Sequence, residues 1–337
     1  MAPITKLEIV FGAMTFGKEG EEQVRTSNLA DCAAILDTFQ KHGHNEIDTS
    51  RFYGGGTSEE YLAALKWQER GLVMDTKFFP NVHGMLGRAV THLDASSMRN
   101  GLNESLKALG GAEKVDLWYL HAPDRSIPLE DTLKAVDELY KEGKFNRWGI
   151  SNFMSWEVAA ICELCDRHGY KRPEVYQGVY NAVYRTIENE LLPCLRKYNI
   201  AFYAFNPLAG GYLTDRYHRD TKDDSIEAGS RFDPKKMQGQ LYRARFWNDP
   251  FFDALDVLRA ATKEASIRES QAALRWIMHH SKLEKRYGDK IIIGASSEQQ
   301  LKQNLEDFEK GPLEGGVTTA FDKGWELCRG VTWKYFH

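Results

Sequence analysis

Four residues of this chain carry, together, enough chemistry to define a site: Asp48 and Tyr53 in DTSRFYGGGTSE, Lys77 in MDTKF and His121 in LWYLHAPD. A tyrosine has an unperturbed pKa of ~10, too high for efficient proton donation near neutrality. A neighbouring lysine ammonium favours the phenolate and lowers that pKa, while an aspartate holds the lysine and keeps it charged. A histidine beside them can hydrogen-bond a carbonyl oxygen and orient it toward the tyrosine. No nucleophile is needed. Such a set suits polarising a carbonyl while hydride arrives from a bound nicotinamide, a cofactor the protein must orient but need not activate. Each residue alone has an ordinary explanation: Asp48 capping a turn, Lys77 snorkelling, His121 satisfied in a core. Their placement at the ends of three consecutive strand-like runs argues for a shared site.

The elements that must hold them are legible as periodicity. Short β-branched and aromatic runs at Leu7–Phe11, Asn45–Ser50, Leu72–Phe78, Asp116–Ala122, Arg147–Asn152, Val175–Asn181, Ala201–Phe205 and Lys290–Gly294 read as strands. Helical patterns alternate with them at Leu29–Lys41, Ser58–Glu69, Ala95–Leu109, Leu129–Glu142, Ser155–His168, Asn189–Tyr198, Phe251–His280 (as two helices) and Ser297–Glu309. Strict β-α alternation implies parallel strands, because those need crossover connections. Eight such units predict one α/β domain, a single (β/α)8 TIM barrel over residues 1–337, with chemistry at the C-terminal ends of its strands. An open dinucleotide-binding sheet would want G-x-G-x-x-G after the first strand, where GAMTFGKEGEEQ stands instead. Residues 210–250 read as a long cofactor and substrate loop after strand seven, and 312–337 as a C-terminal tail. Strand ends five to seven add further polar candidates in Ser151, Asn152, Gln177, Asn181 and Asn206.

Composition excludes several classes. The 337 residues hold 44 basic and 48 acidic side chains, a formal charge of −4, so no basic excess exists to neutralise phosphates and nucleic acid is not an expected partner. No stretch approaches ~20 apolar residues, so no membrane span is expected. Neither end carries a recognisable targeting signal, which predicts a cytoplasmic protein. The five cysteines are sparse, and Cys162 and Cys165 fall on one face of a helical pattern, as core residues rather than metal ligands. No metal site is expected.

GAMTFG, E-I-D-T-S-x-x-Y-G, D-T-K, W-Y-L-H-x-P-D, K-x-x-x-W-G-I-S-N-F, Q-x-x-Y-N and N-P-L-A-G-G resemble, in order and over essentially the full chain, the aldo-keto reductase superfamily. NPLAGGYLTDRY, LYRARFW, LRWIMHHS and IGASSEQQLKQN extend the resemblance to its branch of aflatoxin-aldehyde and succinic-semialdehyde reductases. The resemblance implies NADPH-dependent reduction of an aldehyde or ketone, a homodimer, and a catalytic tetrad of Asp48, Tyr53, Lys77 and His121. It implies cofactor contacts at Met14, Asp48, Ser151, Asn152 and Gln177. Over the pyrophosphate it implies Asn206, Pro207, Leu208, Ala209, Gly210, Gly211 and Arg216, and at the adenosine end Ser296, Gln300, Gln303 and Asn304. Tyr53 and His121 would meet the substrate carbonyl, and Tyr242 and Arg245 a substrate carboxylate.

Some positions depart from the family pattern. Phe205 stands where many relatives stack a tyrosine on the nicotinamide, and Arg216 where the branch has a lysine, a fork donor in place of a point charge. Gly294 and Gln300 replace the Lys/Arg pair many relatives use for the 2′-phosphate, leaving that task to Ser296, Ser297, Arg216 or Arg231. One alternative is a nucleotide-binding regulatory barrel resembling potassium-channel β subunits, with little turnover. Tyr140-x-x-x-Lys144 has the spacing of a short-chain dehydrogenase pair, but it sits at a helix end without the companion glycine fingerprint. A glycosidase would need a second acid paired with Asp48, and none is evident.

Overall fold

The computed structural model of the chain describes residues 4–337. Eight parallel strands follow one another around a closed barrel, and the last pairs with the first. They are β1 (Glu8–Gly12), β2 (Glu46–Asp48), β3 (Val73–Phe78), β4 (Val115–Leu120), β5 (Phe145–Ser151), β6 (Val175–Val179), β7 (Ala201–Phe205) and β8 (Lys290–Ile293). All eight strands fall where the hydrophobic runs place them. Side chains of one parity turn inward, where Val10, Leu117, Tyr119, Val175, Tyr203 and Ile292 pack together. Those of the other parity, such as Phe11, Trp118, Trp148 and Phe202, are buried beneath the surrounding helices.

The inner layer leaves room for only one small residue on β5. A Cβ on Gly149 would lie 2.6 Å from the Val175 carbonyl oxygen and 2.7 Å from the Tyr119 ring. Gly149→Ala is therefore expected to destabilise the barrel by about 1–3 kcal/mol, the usual cost of overpacking. An unchanged urea midpoint would disprove this tightness.

The helical shell comprises α1 (Leu29–Lys41), α2 (Thr57–Ala64), α3 (Ala95–Ala108), α4 (Leu129–Lys141), α5 (Ser155–His168), α6 (Leu191–Tyr198), α7 (Met237–Phe246), α8 (Asp249–Glu264), α9 (Glu269–His279), α10 (Glu298–Phe308) and α11 (Gly315–Cys328). Capping explains several starts. Asn28 accepts from the Ala30 and Asp31 amides, Asp94 from those of Ser96 and Ser97, and Ser297 from that of Gln300. Cys162 and Cys165 lie buried on one face of α5 as free thiols. Among the described residues no helix is long and apolar enough to cross a membrane, and no cluster of metal ligands occurs.

Three elements differ from the periodicity reading. The second helix stops at Ala64, because Lys66 adopts φ 57° and Trp67 turns away to donate its indole N–H to Leu109 O at 3.0 Å. The excursion at 210–250 contains α7, and much of the segment at 312–337 is α11, packed along α8 with Gly324 against Ala254. The buried residues Val317, Ala320, Phe321, Gly324 and Cys328 have helical spacing, a pattern masked at its start by Gly315 and Gly316. Residues after α11 return across the C-terminal mouth of the barrel. Tyr184 donates its hydroxyl hydrogen to Lys334 O at 2.9 Å, and the His337 amide reaches Asn152 O at 3.3 Å.

Candidate active site

β2 and β3 run in register with Asp48 opposite Asp75, so Asp48 and, two residues further along β3, Lys77 both face inward near the C-terminal ends of their strands. Lys77 is fully buried and makes three hydrogen bonds that account for its whole ammonium. Its Nζ donates to Asp48 Oδ2 at 2.6 Å, to Thr49 O at 2.8 Å and to the Tyr53 phenol oxygen at 3.1 Å. Gln177 on β6 closes the other side of Asp48, donating from Nε2 to Oδ1 at 2.8 Å. Because the phenol oxygen accepts from Lys77, its own hydrogen is left for another acceptor.

Burial by itself would discharge Lys77, yet Asp48 and Tyr53 outweigh it, and the ammonium's pKa stands above its ordinary value. Tyr53 differs from expectation in its net direction. Burial raises its pKa, the Lys77 charge pulls it down, and Asp48 pushes it up again, leaving it above the ordinary value. The lysine effect read from the sequence is present, but desolvation exceeds it. Tyr53 therefore rests protonated.

His121, just past β4, meets Tyr53 edge-on with ring centroids 5.9 Å apart. Burial, then the Lys77 charge, hold its pKa well below the ordinary value, so the imidazole is neutral. A neutral imidazole keeps one N–H to donate. Phe79 packs edge-on against the other side of His121, and Phe52 against Phe79, forming an aromatic wall beside the tetrad.

The strand ends on the far side supply amides. Asn152 after β5 and Asn206 after β7 both turn out of the sheet at φ 68°, a left-handed conformation asparagine tolerates better than most residues. Asn152 donates from Nδ2 to His121 O at 2.9 Å and to Ser151 Oγ at 3.1 Å. Asn206 accepts from the Tyr242 hydroxyl at 3.0 Å, and its backbone carbonyl accepts from Asn181 at 3.0 Å. Pro207 and Leu208 lead into a 3₁₀ turn at Ala209–Gly211. A Cβ on Gly210 would come 2.2 Å from the Tyr242 ring, so α7 closes directly onto this segment. Arg231 reaches Met14 Sδ at 3.9 Å and lies 5.6 Å from the Tyr242 ring centre. Gln300, Gln303 and Asn304 share one face at the start of α10, where Gln300 Oε1 accepts from the Ser296 amide and hydroxyl.

Not every candidate joins this group. Arg216 is exposed and paired with Glu227 at 3.4 Å. Tyr242 directs its hydrogen to Asn206 rather than toward Arg245. Arg245 instead lies between the Tyr184 and Trp333 rings, 5.6 and 5.3 Å from their centres. Among the described residues no carboxylate lies within ion-pair distance of Arg245 or Arg231, and Arg245 Nε is buried without a partner. Trp333 and His337, which the sequence reading did not place in the site, reach it through the returning tail. Their one sequence signal is the aromatic density of WKYFH.

The sequence profile described as the aldo/keto reductase family matches residues 8–326. The chain belongs to the aldo/keto reductase family. It is 50% identical over 302 residues to an aldo-keto reductase of Pseudocercospora fijiensis, covering 90% of this chain and all of that one. It is 43% identical to the aldo-keto reductase pigE of Monascus ruber, over 100% of this chain and 99% of the relative. Human aflatoxin B1 aldehyde reductase member 2 is 40% identical over 99% of this chain and 90% of its own. This aldo/keto reductase is thus an oxidoreductase whose family acts on carbonyl compounds, and its barrel holds the Asp48, Tyr53, Lys77 and His121 side chains together.

Proposed function

We propose that this aldo/keto reductase converts an aldehyde or ketone to the alcohol with NADPH as hydride donor and Tyr53 as general acid. The observation that carries this reading is the hydrogen-bonded line Asp48–Lys77–Tyr53, beside a neutral imidazole. A carbonyl oxygen between Tyr53 and His121 would accept two hydrogen bonds, from the phenol and from the imidazole N–H. As negative charge develops on that oxygen, the phenol proton moves to it, and the Lys77 ammonium stabilises the phenolate left behind. Asp48 keeps that buried ammonium charged.

The residues present suit a dinucleotide. Among the described residues the buried amide nitrogens of Asn206 and Asn304 have no partner, and no carboxylate lies within ion-pair distance of Arg231. Ser151, Asn152 and Gln177 would hold the nicotinamide amide, with Asp48 and Met14 adjacent. Asn206–Gly211 and Arg216 would follow the pyrophosphate. Ser296, Gln303 and Asn304 would meet the adenosine end, with Gln300 positioning Ser296. Arg231 is the best-placed cation for a 2′-phosphate, because Arg216 already pairs with Glu227. When bound, the dihydronicotinamide supplies the hydride.

Incubation with NADPH and a panel of aromatic aldehydes, dicarbonyls and ω-carboxy aldehydes tests the proposal through aldehyde-dependent loss of the cofactor's absorbance. Tight NADPH binding with no turnover on any of them would favour a regulatory barrel instead. The resemblance to the aflatoxin-aldehyde branch also leads us to propose a homodimer. Light scattering is expected to return twice the mass of 38.5 kDa, and a monomer at micromolar concentration would reject assembly without touching the chemistry.

A further inference from the structure

The loop that carries Tyr53 is not held by backbone preference of its own. Gly54, Gly55 and Gly56 follow the tyrosine at φ 54°, 66° and 95°, three consecutive left-handed glycines with little conformational preference. A general acid on such a loop needs something that fixes it relative to Lys77. The outer face of β3 supplies it. Thr76 precedes Lys77, so its side chain points away from the barrel axis toward α2. Thr76 donates its hydroxyl hydrogen to Glu59 Oε1 at 2.6 Å, and both side chains are fully buried. Glu59 lies in the first turn of α2, which begins at Thr57, directly after the glycine run. Its second oxygen accepts from Arg51 Nη1 at 3.4 Å, and the same guanidinium bonds the Gly56 carbonyl and, from Nη2, Glu60 at 3.3 Å.

We infer that Arg51, Glu59 and Thr76 form a clamp that holds the Tyr53 loop to the strand bearing Lys77, setting the 3.1 Å phenol–ammonium contact. Arg51 binds the loop on both sides of the tyrosine, from its own backbone position and from Gly56. Glu59 ties that guanidinium to Thr76, one residue from Lys77 but on the opposite face of the wall. All three are positioning residues, since none touches the reacting atoms. The inference rests on Tyr53 being the acid.

Arg51→Met and Thr76→Val each open one jaw. In the otherwise native enzyme each is expected to lower kcat for aldehyde reduction by about 10–10²-fold, as misplacement of a reacting group by about 1 Å can do. NADPH affinity, read by fluorescence quenching, is expected to stay unchanged. In a Tyr53→Phe background neither substitution is expected to lower kcat further, because the group being positioned is gone. Arg51→Lys, which keeps the charge, is expected to recover part of the loss. If Thr76→Val does not fold, Arg51→Met carries the test, its side chain being 31% exposed. Equal losses in both backgrounds would assign the three residues to general stability and overturn the clamp, as would no loss in either. Full turnover by Tyr53→Phe alone would remove the acid, and the clamp with it, before any jaw variant is made.

Discussion

Tyr53→Phe is expected to lower kcat by about 10²–10⁴-fold, the usual contribution of a positioned general acid. The substitution removes one hydroxyl and leaves the ring against His121, so NADPH affinity should barely move. Retention of more than about a tenth of native turnover would rule out the role, since even the smallest positioned acids contribute more. Lys77→Met is its companion and should behave similarly, by removing the charge that stabilises the phenolate. It also leaves Asp48 buried without a cation, which typically costs about 3–5 kcal/mol, so folding must be checked by circular dichroism alongside. The pH dependence follows from the same site. Reduction needs Tyr53 protonated, and burial lifts its pKa above the ordinary tyrosine value, with Lys77 opposing. The reductive rate should therefore hold through neutral and mildly alkaline pH and fall only as pH rises through that raised value. Alcohol oxidation, which needs the phenolate, should rise over the same range.

Arg245→Ala is expected to raise KM for an ω-carboxy aldehyde such as succinic semialdehyde by roughly 10–150-fold, with far less effect on nitrobenzaldehyde. A charge-assisted contact to a bound carboxylate contributes about 1.5–3 kcal/mol, which converts to that ratio. The structure strengthens the case for this residue and alters its neighbour's part. Arg245 has a buried Nε without a partner and no carboxylate within ion-pair distance among the described residues, so its charge is available to a ligand. Tyr242 gives its hydrogen to Asn206 and would leave the carboxylate to Arg245. Equal losses on both aldehydes would make Arg245 structural, holding the tail through Trp333. No loss on either would mean that the natural substrate lacks a carboxylate.

The barrel was legible because its signals are local. Each strand is a short β-branched run, each helix shows its 3.6-residue period, and alternation forces parallel pairing. Asp48, Tyr53, Lys77 and His121 were legible for a related reason: Asp48 and Lys77 share an inward parity near the ends of β2 and β3, and Tyr53 and His121 follow strand ends on the same rim. The early end of α2 was not, because Trp67 follows a contact with Leu109 that lies 42 residues further along the chain. Nor was the return of the tail, since nothing local to Trp333 or His337 specifies Arg245 or Asn152 as neighbours.

Charge state shows the same division most clearly. Residue types and order pointed to a lysine beside a tyrosine and an aspartate, with a histidine near them, and so to which groups are proposed to exchange a proton. Only the tertiary structure decided the balance among them. Desolvation depends on how completely the surrounding chain covers a group, and that coverage comes from segments distant in sequence: Gln177 beneath Asp48, Phe79 beside His121, the residues after α11 across the mouth. Desolvation raises Tyr53 against the pull of Lys77 and keeps His121 neutral, and it is imposed by residues that the sequence does not set next to either of them.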